Sequence, residues 1–260
     1  MIDFAHSALL GLLFASGAVA LVLGSYFLAR YFLTFGEERD RTHDVAVAVG
    51  SRIVTLHGLI LALVYAQELG DYKDVRGVIV DESVAVADVY NDARRYGGDA
   101  ATDIQRGLAR YLDAVVRLEW DMLGRREGLS PDAWRAWEDV NERVLDLAPT
   151  NDRQRTLSAR MRDRMAAIAK AHSMRGATAS SGFSGIFWAP ALIGLALVAV
   201  PFYVYRPTRS HIALLSVFGF YSGVILFFIY AFSNPFAPPG KLDPRPFQHL
   251  LEGDIGKSLN

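Results

Sequence analysis

The stretch VAVAVGSRIVTLHGLILALVYA, residues 45–66, decides the fold. It is mostly apolar and about 20 residues long, enough for an α-helix to cross a hydrocarbon core of about 30 Å. Three comparable stretches accompany it: Ala8–Leu28 before it, and Ile186–Tyr205 and Ile212–Phe232 after a polar middle. Two spans, a polar insert and two further spans predict an all-α integral membrane protein with four transmembrane helices. The expected parts are a transmembrane hairpin over 1–66, an antiparallel helical bundle over 67–182, a second transmembrane hairpin over 183–233 and a Pro-rich tail over 234–260. Within the decisive stretch lie Ser51, Arg52, Thr55 and His57, and no Pro or Gly stops its far end. The helical pattern runs on through Gln67 and Glu68, so span and bundle are expected to share one long helix.

Composition supports this division. The chain of 260 residues is 52% hydrophobic with a net charge of −1 and a mean hydropathy of +0.18. A soluble domain averages about 45–50% apolar residues, so the mean barely departs from ordinary. The charge lies in the middle and the grease at the two ends. No basic patch calls for nucleic acid. There is no cysteine, which removes disulfides, thiolate chemistry and Cys-based zinc sites. The first stretch is too long for a signal-peptide core and no Lys or Arg precedes Arg30, so a retained span is expected rather than a leader cut after Ala18-Val19-Ala20.

The middle reads as four amphipathic helices with short connections. Val75, Ile79, Val86, Val89 and Tyr90 recur at helical spacing until Gly97-Gly98. Ile104, Leu108, Tyr111, Leu112, Val115 and Met122 mark the second helix. Ser130-Pro131 caps and opens the third. Pro149-Thr150-Asn151 ends it and caps the fourth, which carries Leu157, Met161, Met165 and Ile168. A small-residue hinge at 180–185 leads to the third span, which holds Pro190 and Pro201. Prolines are tolerated in membrane helices where neighbours re-satisfy the freed backbone groups.

Orientation follows from Lys and Arg in short loops. The charged hairpin at 36–44 and its start offer Arg30, Arg39 and Arg41, and the second hairpin offers Arg206 and Arg209. The tail has Lys241, Arg245 and Lys257. The expectation is an inner-membrane protein with its hairpins in the cytoplasm and its bundle outside. Lys73, Arg76, Lys170 and Arg175, on the bundle side of the spans, argue the other way.

Several side chains call for weighing. A charge at the bilayer centre costs about 2.5–3.5 kcal/mol on insertion scales, so Arg52 either snorkels to the headgroups or pairs with Asp44 or Asp40, or else supplies a pore or substrate charge. His57 points away from Ser51 and Thr55; it is either a proton or pH element or a neutral imidazole bonded to a neighbouring helix. With no partner ligand at i+3 or i+4, metal ligation is not expected and packing is the expected reading. Ala48, Ser51, Thr55, Gly58 and Ala62 form a stripe of small residues, suited to a helix–helix seam or to a pore wall where hydroxyls meet water and ions. Together with Arg52 they are the candidate pore lining. Glu82, Asp88, Glu119 and Asp121 are expected mostly on solvated faces and at caps. No phosphate loop, His-Glu-x-x-His or Gly-x-Ser-x-Gly occurs, so neither enzymatic chemistry nor a cofactor or metal is expected.

Residues 58–65 (GLILALVY), then Glu82, Tyr90, the run Tyr111 to Glu119-Trp120 and the close on Asn234-Pro235-Phe236 with Pro244-x-Pro-Phe247 resemble the bacterial bestrophin-like membrane family, a domain of unknown function. Tyr-x7-Glu-Trp is similar to that family's signature. The resemblance covers almost the whole chain and implies four spans enclosing a helical domain. It also implies a distant relation to bestrophins, oligomeric anion channels lined by their second helix. No constriction triplet in span two aligns with theirs, and there is no acidic run suited to a calcium clasp.

Two functions are expected on these grounds. The first is a homo-oligomeric ion channel, with anions as the expected ions and span two as its wall. The alternative is a non-conducting, membrane-anchored sensor or interaction protein acting through the bundle. A secondary transporter would show internal repeats, and none is evident.

Overall fold

The computed structural model describes residues 2–33, 39–181 and 187–259, with side chains over 5–33, 43–180 and 187–258. The hinge at 180–185 falls largely outside them, as do residues 36–38 of the expected hairpin at 36–44, whose remainder belongs to the first turns of the second helix. Every regular element described is helical: α1 (Ile2–Leu33), α2 (Arg39–Tyr96), α3 (Asp99–Ala114), α4 (Trp120–Gly124), α5 (Pro131–Leu145), α6 (Asp152–Ser181), α7 (Trp188–Ala199), α8 (Arg209–Phe232) and α9 (Arg245–Glu252). A π-helical turn, Val115–Glu119, joins α3 to α4, and a 3₁₀ turn, Val200–Val204, follows α7. The chain forms two compact units, one of residues 1–71 and 183–233, the other of 72–182 and 234–260. Helix α2 is a single helix of 58 residues.

In the first unit, α1, α2 and α8 are long and apolar enough to cross a membrane. The segment Trp188–Val204 is a shorter apolar helix. Ile186 lies outside the described residues, and regular α-helix ends at Ala199, before the expected Tyr205. The reason is Pro201, which has no N–H for an i→i−4 bond; the chain tightens into the 3₁₀ turn around it. The carbonyls at its end are bound by a neighbour. Arg30 Nη1 donates to Tyr203 O (3.2 Å) and Tyr205 O (2.8 Å), and Tyr26 Oη donates to Tyr205 O (2.8 Å).

Helices α1 and α8 meet through Gly219-x3-Gly223. A Cβ at Gly219 would lie 2.9 Å from Val19 Cα, and one at Gly223 only 2.6 Å from Ala15 Cα. Only glycine lets the backbones come this close, the usual device where lipid offers no hydrophobic drive for helix association.

In the second unit the expected helix signals act as read. Ser130 Oγ accepts from Asp132 N (3.3 Å) and Ala133 N (3.4 Å) ahead of Pro131. Gly97 and Gly98 turn the chain at φ of +79° and +81°, a region closed to most L-residues. Asn151 Oδ1 accepts from Gln154 N (2.9 Å) at the start of α6. The core gathers Ile79, Val86 and Val89 of α2, Ile104, Leu108 and Leu112 of α3, Val140 and Val144 of α5, and Met161, Met165 and Ile168 of α6.

The segment after residue 234, read from the sequence as a separate Pro-rich tail, is part of this core. Phe236, Leu242, Phe247 and Ile255 are buried in it. Burying a phenylalanine is worth about 1.5–3 kcal/mol, more than a loose tail would supply. Proline spacing announced irregular backbone there; the apolar residues between the prolines decided where it packs.

Candidate functional site

Two features stand out, one in each unit. On α2, the residues Ala48, Ser51, Arg52, Thr55, Gly58 and Ala62 are all exposed. At 100° per residue they fall within about 120° of arc. The other side of the helix is packed: Ala46, Gly50, His57 and Leu61 are buried. His57 is 3% exposed and lies against Gly194 of α7, where an added Cβ would stand 2.5 Å from its Nδ1. Ser51 Oγ donates to Ala48 O (3.0 Å) and Thr55 Oγ1 to Ser51 O (2.9 Å). Their hydrogens are used by the helix and their lone pairs face outward. Asp44, considered as a partner for Arg52, instead lies 4.0 Å from His43 Nδ1; the Asp40 side chain is outside the described residues.

The second feature is a buried ionic network, and it corrects the expectation that Glu82 and Glu119 sit on solvated faces. Both are 0% exposed, as is Arg175 between them. Arg175 donates through Nη1 to Glu82 and through Nη2 to Glu119. Tyr111 Oη donates to Glu82 Oε1 (2.5 Å). Glu119 Oε2 accepts from Ser130 N (2.9 Å) and pairs with His172 Nε2 (2.8 Å). The Arg175 guanidinium lies 5.9 Å from the Trp120 ring and 5.5 Å from the Phe247 ring. Trp134 stacks on His172 at 5.6 Å. Asp88 and Asp121 behave as expected, pairing near the surface with Arg164 (3.0 Å) and Lys241 (3.6 Å).

The electrostatics are mutual. Burial alone would raise the Glu119 carboxyl, but the His172 hydrogen bond and the Arg175 charge outweigh it and hold it below the usual carboxylate range. Burial and then the Glu82 charge push the Tyr111 phenol well up, so it remains a donor. Burial alone would lower the Arg175 guanidinium; the Glu82 charge and its other acidic neighbours raise it instead, and it stays charged.

The π-turn explains why Tyr111 and Glu119 are eight residues apart. On an ideal α-helix that spacing leaves them about 80° out of line. One residue absorbed by a π-turn brings the offset to about 20°, so both face the same way. Val115–Glu119 is that turn. Trp120, the next residue, then donates from Nε1 to Leu242 O (3.0 Å) and packs edge-on against Phe236 and Phe247.

The bestrophin-like domain model matches residues 16–247. The chain belongs to the bestrophin-like family. The fold agrees with solved structures. A Leu-to-Thr variant of a bacterial bestrophin homologue from Klebsiella pneumoniae superposes with a TM-score of 0.68 at 13% identity, covering 96% of this chain and 97% of that one. An Ile-to-Thr variant of the same homologue gives 0.67 at 14%, covering 96% and 98%. The homologue phased on zinc gives 0.68 at 12%, covering 95% and 98%. A comparison with curated proteins finds no match.

In this bestrophin-like membrane protein the residues that carried the resemblance gather in the second unit. Glu82, Tyr111, Glu119, Trp120 and Phe236 belong to the buried network and its aromatic cover. Asn234 Nδ2 donates to Gly124 O (3.1 Å), its Oδ1 accepts from Phe236 N (3.2 Å), and Pro235 O accepts from Leu242 N (2.7 Å). Tyr90 stands apart and holds the end of the chain, its hydroxyl 3.0 Å from Asp254 O and 3.1 Å from Ser258 Oγ. Sequence reading missed His172, had Phe247 only as part of the C-terminal pattern and counted Arg175 as a flanking charge. The signal was present: Met161, Met165, Ile168, His172, Arg175 and Ala179 form one stripe at spacings of three and four. Among the described residues no group of three His, Cys, Asp or Glu is placed to hold a metal ion.

Proposed function

We propose that this chain is the subunit of a homo-oligomeric ion channel in which the exposed small and hydroxyl-bearing face of α2 lines the pore. One observation carries the reading: Ala48, Ser51, Arg52, Thr55, Gly58 and Ala62 share an exposed face while the opposite side of the same helix is packed. A polar face opposed to hydrocarbon is costly, so it needs water or another subunit. A ring of copies supplies both. The hydroxyl hydrogens are spent on the helix backbone, so the sign of the permeant ion falls to Arg52. A ring of guanidinium groups selects anions. In this reading Trp188–Val204 is the third of four spans. Its α-helical part is about 18 Å long and its 3₁₀ part about 10 Å, together close to the 30 Å of a hydrocarbon core. The short loops face the cytoplasm.

The absence of cysteine makes the test clean. Ser51→Cys or Thr55→Cys would carry the protein's sole thiol, and a charged, water-soluble thiol reagent is expected to block anion flux through either in proteoliposomes. Ile60→Cys is exposed too but lies about 120° round the helix from Ala48, and is expected to be unaffected. An oligomer without flux for any common anion or cation would overturn the channel and favour the anchored interaction protein.

A further inference from the structure

A second apolar feature of the first unit is independent of conduction. Helices α1, α7 and α8 leave between them a cavity of about 370 Å³, within the range of about 300–1,000 Å³ that ligand sites occupy. Its wall includes Leu10, Phe14, Gly17 and Leu21 of α1 and Trp188 and Leu192 of α7. Apart from the Trp188 indole nitrogen, these side chains carry no polar atom, so an occupant here is hydrocarbon over nearly all its length.

We infer that this groove holds one acyl chain of a bilayer phospholipid. Three observations fix the occupant. First, the groove opens on a lipid-facing surface: Leu13 and Leu192 in its wall are 58% and 43% exposed, on a helix long and apolar enough to cross a membrane and on the shorter apolar helix beside it. Second, its length fits. The wall from Leu10 to Leu21 runs about 16 Å along the helix axis, and one leaflet's hydrocarbon is about 15 Å deep, half of the 30 Å core. Third, it has a marked end. Helices α1 and α7 run in the same direction: Phe14, one turn on from Leu10, meets Trp188 (5.9 Å) at the start of α7, and Tyr26 and Arg30 reach Tyr205 beyond the far end of α7. Trp188, the first residue of α7, therefore stands at the outer end of the α7 wall, and tryptophan is a residue that favours the headgroup level. The chain enters beside its indole and runs inward over Gly17, at which an added Cβ would meet nothing within 4 Å.

The test measures phospholipid retained by the full-length protein after prolonged washing in mild detergent, by extraction and mass spectrometry. Wild type is expected to retain phospholipid, and Gly17→Leu, which fills the groove from its open floor, to lose it without a change in oligomeric state. A wild type washed free of lipid, or equal retention in both, overturns the inference. A Gly17→Leu variant that changes oligomeric state overturns it as well, because a second copy then covers the groove. A measurement on unfilled protein stands beside it. Protein reconstituted with chain-brominated phosphatidylcholine and moved into excess unbrominated lipid is expected to keep quenched emission, and Trp188→Phe to abolish that residual quenching. The other tryptophans, Trp120, Trp134 and Trp137, belong to the second unit. Full recovery of wild-type emission on transfer refutes a held chain.

Discussion

Replacing Arg175 by methionine removes the guanidinium from between two buried carboxylates while keeping a long apolar stem against Trp120 and Phe247. The loss can be worked from the contacts. Arg175 makes one charge-assisted hydrogen bond to Glu82 and one to Glu119, each worth about 1.5–3 kcal/mol. Breaking a buried pair by removing one partner costs about 3–5 kcal/mol, chiefly because the remaining charge is stranded. Set against a total stability of about 5–15 kcal/mol for a domain, this variant should be expressed but markedly unstable. The measurement is unfolding of the full-length protein in detergent followed by tryptophan emission, since the Trp120 ring lies 5.9 Å from the guanidinium. The dependence on pH sharpens it. The Glu119 carboxyl is held below its ordinary value, so its contribution to wild-type stability is present at neutral pH and is lost as pH falls through the folded-state value. In Arg175→Met, acid instead neutralises the stranded carboxylates, so the deficit relative to wild type should narrow on acidification. The triple variant Glu82→Gln, Glu119→Gln, Arg175→Met should recover part of the stability, because it leaves no unpaired charge. An Arg175→Met variant within about 1 kcal/mol of wild type at neutral pH, the scale of a solvent-exposed pair, would refute the reasoning.

Other outcomes follow from features already described. Arg52→Glu reverses the charge of the exposed α2 face and should shift the reversal potential in an anion gradient toward cation selectivity; unchanged selectivity would remove Arg52 from the pathway. Gly223→Val places a branched side chain where even a Cβ would stand 2.6 Å from Ala15 Cα, and overpacking of this kind costs about 1–3 kcal/mol or more. Thermal melts in detergent should show a clear loss for Gly223→Val and none for Gly24→Ala, where an added Cβ meets nothing within 4 Å. A reporter active only outside the cytoplasm, fused after Asn260, should be active; a silent fusion that is stably expressed reverses the proposed orientation.

Much of the fold was legible because helix signals are local. The alternation of Val75, Ile79, Val86 and Val89, the Ser130-Pro131 start and the Gly97-Gly98 break depend only on neighbouring residues. Partners at long range were not legible. Glu82 and Glu119 looked like solvated carboxylates because a buried acid and an exposed one are the same letter. What distinguishes them is register: Glu82 occupies the stripe position between Ile79 and Val86, and Glu119 the one between Val115 and Leu123, where a solvated acid has no reason to be. The Gly219-x3-Gly223 contact was masked by the aromatic residues around it. The Tyr111–Glu119 alignment was hidden from a helical wheel, since a wheel assumes 3.6 residues per turn and the π-turn does not obey it.

The place of the C-terminal segment in the second unit has a consequence for biogenesis. Trp120 bonds to the carbonyl of Leu242, 122 positions later, and Phe236 and Phe247 close the core that residues 72–182 begin. A ribosome therefore releases most of this unit, then α7 and the membrane-length helix α8, before the pieces that complete it emerge. Through that interval Arg175 and its two carboxylates lack the Phe247 side of their cover. The order of synthesis makes insertion of α8 a checkpoint: a chain that fails to place it would present an unfinished, charged core to cellular quality control.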